Sequence, residues 1–232
     1  MSPEFVMARR EVMGLLAVGI AAVLGGCGMM GHTYRYKLTV EVETPEGLRT
    51  GYAVREISWL PGVQVTPEAD TASMTHRGEA AMVELPNGQV LFALMSPDGQ
   101  ETPMLAFGSA RQTAWSGDSV KLLEPPADQE AVYGQSGYPR LVRFRDIADP
   151  KSVEKVDPAN LAASFGPGYR LKRITAQIVS DDVTERIENK LIWIGKYRED
   201  RVRLSGKRGP VFVSDNLSDQ IGTGGFLAGK DQ

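Results

Sequence analysis

The chain is 232 residues long, 42% hydrophobic and 24% charged, with 26 basic against 29 acidic side chains and a formal net charge of -3. Such a chain can bury a sizeable core, and its charge balance leaves no basic excess to follow a nucleic-acid backbone. The 25 glycines and 14 prolines favour turns and short strands over long helices, and one cysteine excludes an intrachain disulfide.

Residues 1–6 carry no structural signal, and Met7-Ala-Arg-Arg10 reads as a second start, so the first six are expected to be a vector-derived or misassigned extension. Arg9 and Arg10 then precede Val12 to Leu24, a run without charge. This run is too short for a membrane-spanning helix, which needs about 20 residues. It fits the roughly 7–15 residues of a signal-peptide core.

Leu24-Gly25-Gly26-Cys27 resembles the lipobox of bacterial lipoproteins: a branched apolar residue, two small residues, then the chain's only cysteine. Small residues let the backbone enter a protease cleft at the membrane surface, and the thiol accepts diacylglycerol. The resemblance implies a signal peptide over 1–26, cleavage before Cys27, and acylation of its sulfur and of the released amino group. Two other readings use the same residues: an uncleaved signal anchor and a buried core cysteine. Each buried CH₂ contributes about 0.8 kcal/mol, so two or three acyl chains hold a protein on a bilayer. Gly28, not Asp, follows the cysteine. That pattern resembles outer-membrane rather than inner-membrane sorting, on the periplasmic side. Residues 27–33 read as a lipidated tether.

From Tyr34 to Thr44 the chain alternates strictly, with Tyr34, Tyr36, Leu38, Val40 and Val42 on one face and Arg35, Lys37, Thr39, Glu41 and Glu43 on the other. This predicts a half-buried strand. Pro45-Glu46-Gly47 supplies a turn and Leu48 to Trp59 an antiparallel partner, so a hairpin is expected over 34–59. Pro61 to Arg77 reads as a loop. Gly78 to Leu85 and Gln89 to Met95 flank Pro86-Asn87-Gly88, a strong hairpin signal. The second of these runs is apolar on both faces and predicts a central strand covered on both sides.

Residues 108–137 have no clear pattern, and a split into two subdomains there is the alternative to one domain. Pro139 to Asp146 reads as a strand with a basic face carrying Arg143 and Arg145. Asp157-Pro158 begins a short helix over 158–164, ended by Gly166-Pro167-Gly168. Tyr169 to Ser180 is a further strand with Leu171, Ile174 and Ile178 or Val179 inward. Asp181 or Asp182 is expected to cap a helix over 183–191. Val211 to Val213 is one more candidate strand. The predicted organisation is therefore a single compact α+β domain over 34–222, mainly antiparallel β hairpins with a few short helices, and a mobile tail over 223–232.

Little in the sequence points to catalysis. His32 falls in the tether and His76 in a loop; Asp70 and a serine complete a triad only on paper, without a G-x-S-x-G elbow. No metal-ligand spacing occurs, and no cofactor is implied. Asp181, Asp182 and Glu185 read as a cap acting on a helix dipole. Gly222-Thr223-Gly224-Gly225 lacks the flanking elements of a phosphate loop. Lys207-Arg208 is a basic turn able to touch lipid headgroups. Arg140, Arg143 and Arg145 form a candidate binding face for an anionic polymer, with pairing to acidic neighbours as the plainer reading. Trp59, Trp115 and Trp193 read as core or edge aromatics.

The stretches YRYKLTVEVETPEGLRTG, YPRLVRFRDIADPKSV and FGPGYRLKRITAQI resemble uncharacterised envelope proteins of alphaproteobacteria. That resemblance implies a location and no activity. The expected function is a lipid-anchored cell-envelope protein with a binding or structural role, held to the membrane through Cys27, with an envelope protein or anionic polymer as partner. The alternative is a lipid-tethered periplasmic hydrolase with a dispersed active site.

Overall fold

β1 (His32–Thr44) and β2 (Gly47–Pro61) pair without a break from His32↔Trp59 to Thr44↔Gly47, the hairpin that the alternation predicts. This is seen in a computed structural model that describes residues 32–61, 72–95, 130–132, 138–209 and 214–229. Gly47 closes the turn with a φ of 107°, a conformation that costs a side-chain-bearing residue energy. Tyr36, Leu38, Val40 and Val42 are buried. His32 and Thr33, expected in the tether, are instead the first residues of β1.

β9 (Arg170–Val179) lies on the other side of β1. Leu171 and Ile174 both reach the core although they are an odd three positions apart in a strand. A register shift explains this: Val42 pairs with Leu171 and Glu41 with Arg173, which leaves Lys172 as a bulge. The bulge brings both Lys172 and Arg173 to Glu41, at 3.0 and 2.8 Å. Arg173, and after it Lys172, holds the Glu41 carboxyl below its usual range against the opposing effect of burial.

β3 (Ala72–Glu79) pairs with β2, so the second half of the expected loop at 61–77 is strand. A three-residue strand, β6 (Glu130–Val132), pairs with β9, and β10 (Leu227–Ala228) pairs with β3. The six-stranded sheet has the order β10-β3-β2-β1-β9-β6. Residues 31–232 make one compact unit, and 130–132 belong to its sheet.

A second sheet has the order β4-β5-β7-β8, from β4 (Ala81–Glu84), β5 (Val90–Ala93), β7 (Leu141–Phe144) and β8 (Val153–Lys155). The Asn-Gly turn joins β4 to β5: Leu85 N donates to Gln89 O at 2.9 Å and Gln89 N to Asn87 Oδ1 at 3.1 Å. Gly78 to Leu85 is not one strand. It breaks at Ala80, whose N–H donates to Phe226 O, and there the chain passes from one sheet to the other. Every residue of β5 is buried, as a strand covered on both faces requires.

Gly51 sets the approach of the two sheets. A Cβ at Gly51 would stand 1.8 Å from the carbonyl oxygen of Met82 on β4, so only glycine fits. The first core lies between the sheets and includes Leu38, Val40, Ile174, Val83, Leu91 and Leu141. The second lies on the far face of the four-stranded sheet, where Phe92, Val142 and Phe144 meet Ile187, Leu191, Ile194, Phe226 and Leu227. Phe92, Phe144, Trp193 and Phe226 stack mostly edge to face there, with centroids 5.6 to 6.3 Å apart. The architecture is α+β and mainly antiparallel, two sheets and a layer of short helices.

Among the described residues the α-helices are α1 (Ala162–Phe165), α2 (Ile187–Lys190), α3 (Ile194–Glu199) and α4 (Leu217–Gln220). α1 starts later than expected because Asp157 takes the Ala159 N–H into a turn of its own. α2 is far shorter than 183–191. Thr184 exchanges hydrogen bonds with the backbone of Val54, so the chain before α2 runs along the edge of β2. Neither Asp181 nor Asp182 caps it. Glu79, fully buried at the end of β3, accepts the N–H groups of Arg186 at 2.5 Å and Ile187 at 2.7 Å. The expected mobile tail also needs correction over 223–229: Phe226 and Leu227 are buried in the second core and β10 is part of a sheet.

Candidate functional site

β10 covers only the last two residues of β3, pairing Leu227 with Glu79 and Ala228 with Gly78. Past Gly78 the edge of β3 faces a cleft of about 1370 Å³. One wall is the sheet, with Glu56, Ser58, Thr75, His76 and Arg77. The other is the C-terminal segment, with Arg198, Glu199, Arg201, Arg203 and the loop Gly222–Gly224. Four arginines therefore face two glutamates in a protein whose net charge is negative.

Each arginine is positioned differently. Arg77 meets Glu185 at 2.9 Å. Arg203 donates to the carbonyl oxygens of Gly209 and Gln220, which orient its guanidinium without cancelling its charge. Arg198 is on the last turn of α3. Arg201 lies just beyond it with φ 51°, the one non-glycine residue of positive φ among the described residues. Val202 N donates to Tyr197 O and Arg201 N to Arg198 O, the paired bonds of a Schellman helix end. Glycine is the usual residue at that position. A side chain there costs about 1 kcal/mol.

The negative groups are partly neutralised. Glu56 is bonded by Arg35 at 2.8 Å, and Arg35 in turn reaches Asp182 at 3.0 Å. Burial, and then Arg55, pushes the His76 imidazole below its usual range and so disfavours its charged form. The arrangement suits retention of an anionic group by guanidinium forks.

The residues singled out in the sequence are scattered. Leu24, Gly25, Gly26 and Cys27 lie outside the described residues, as do Asp70 and Trp115. Arg143 is half-buried and bonded to Glu154 and Gln89, and Arg145 reaches the same Glu154 at 3.0 Å. Arg140 is exposed, next to a strand whose Leu141 is 2% exposed, so β7 is covered on both faces rather than half-solvated. Asp182 and Glu185 serve Arg35 and Arg77. Lys207 pairs with Asp219 at 3.0 Å, and Trp193, half-buried against the second core, donates to Ile147 O.

His76 and the Gly222 loop do reach the cleft. Arg198, Arg201 and Arg203 were not legible as a site: the run RVR after RED reads as ordinary surface charge, and only the backbone turn shows where it points. Among the described residues, no three His, Cys, Asp or Glu side chains gather to hold a metal ion, and no helix is long and apolar enough to cross a membrane. The chain matches no protein-family model, no curated protein and no solved structure.

Proposed function

We propose that this chain is a lipoprotein of the bacterial envelope, cleaved before Cys27, acylated there, and held on the periplasmic side of the outer membrane with a binding role. The observation that carries the reading is the position of the only cysteine, directly after Leu24-Gly25-Gly26 and a charge-free run preceded by Arg9 and Arg10. The arginine-lined cleft is the surface through which the anchored domain binds.

Metabolic labelling with a fatty acid in a Gram-negative host tests this. The parent chain takes up label and sediments with membranes, whereas Cys27→Ser stays at precursor size and unlabelled. Label in the Cys27→Ser protein equal to the parent's would overturn the reading.

A further inference from the structure

Cys27 and His32 are five residues apart, and an extended chain covers at most about 3.6 Å per residue, so β1 begins within roughly 18 Å of the acylated sulfur's residue. The membrane-proximal end of the sheet is then the end at His32, where the paired row is His32, Trp59, Met74. Ser58 and Thr75 form the next row and Arg77 lies two rows further on. With strands about 4.8 Å apart and a rise of about 3.4 Å per residue, the sheet wall of the cleft starts at Ser58, roughly 6 Å from His32, and reaches Thr75 at roughly 10 Å.

On these distances we propose that the cleft docks on the bilayer itself, with Arg77, Arg198, Arg201 and Arg203 taking the phosphates of anionic lipid headgroups. The inference rests on the lipid anchor proposed above and deepens it: the acyl chains hold the domain at the surface and the arginines fix which face it presents. Three observations support lipid phosphate as the occupant. The tether is too short to carry the cleft far from the surface. The lining is cationic on an acidic chain. Arg201 occupies a helix-end conformation suited to glycine, a cost that a surface charge alone does not explain. Glu199 in the cleft opposes the attraction, so docking depends on the negative charge density of the surface.

The test uses the full lipidated protein in nanodiscs of phosphatidylcholine, and of phosphatidylcholine mixed with phosphatidylglycerol. Amide exchange is read over 198–209 and 222–229. Slower exchange is expected in the anionic discs and is lost at high salt. Arg201→Gly restores the usual helix-end residue, so it keeps the fold and raises the melting temperature, yet weakens the protection about fivefold, as loss of one basic residue at an anionic surface implies. Arg201→Lys keeps the protection. Equal exchange in both discs, or unchanged protection in Arg201→Gly, overturns the proposal while the anchor stands. The same protection from inorganic phosphate alone would make a soluble anion the ligand and overturn the lipid assignment. An intact mass without diacylglycerol on Cys27 removes the anchor, and the docking with it.

Discussion

Glu79 does at the residue scale what no local residue does for α2. It is 0% exposed, accepts two backbone N–H groups of the 186–187 segment, and meets Arg186 Nε at 3.3 Å. Arg55, 2% exposed, donates to Glu79 O and Ala93 O and so ties the two sheets at the same point. Glu79→Ala leaves those donors without an acceptor and is expected to cost about 3 kcal/mol in denaturant unfolding; an unchanged midpoint would refute the role. Asp219 makes a pH prediction. Ser205, Lys207 and Ser214 draw its pKa from 3.8 down to about 2. The folded pKa is the lower one, so its contribution is full above about 3.8 and vanishes as pH falls through about 2. Asp219→Asn should flatten the acid limb of the stability curve in that window. An unchanged limb would show that another carboxylate sets it.

The strands that alternate strictly were legible because burial repeats with the pleat. β1, β2 and the Asn-Gly hairpin follow from period two and turn chemistry alone. β3 was not, because THRGE has no apolar alternation and its pairing with β2 is fixed by partners distant in sequence. α2 failed for the same kind of reason: its cap is 107 residues away. β10 looked like a tail because a glycine-rich segment hides two core residues, Phe226 and Leu227. Of the candidate site, the sequence singles out His76 and the Gly222 loop, and neither for the charge that defines it. Two predictions belong to these elements. Gly51→Ala forces a methyl against Met82 O and should destabilise by about 1–3 kcal/mol or more, read from thermal melting. Phe226→Ala empties the aromatic cluster and should cost about 3–5 kcal/mol. A melting point within error of the parent's in either variant would contradict the packing described.

At the scale of the whole molecule, the proposed anchor lets one residue, Cys27, decide where the domain works. The two sheets and their helical layer bury two apolar cores of their own, and the central strands β1, β2 and β9 carry ion pairs such as Arg35–Glu56 and Arg173–Glu41. On the proposed reading, a short stretch of chain ending in one thiol joins this domain to a bilayer, and the few residues between that thiol and β1 set which end of the sheet meets the lipid. Mass spectrometry of the N-terminal peptide, from protein extracted from cell membranes, addresses this most directly. The predicted peptide begins at Cys27 and carries diacylglycerol on sulfur and an acyl group on nitrogen. A peptide that still contains Leu24-Gly25-Gly26 ahead of an unmodified Cys27 would contradict the account.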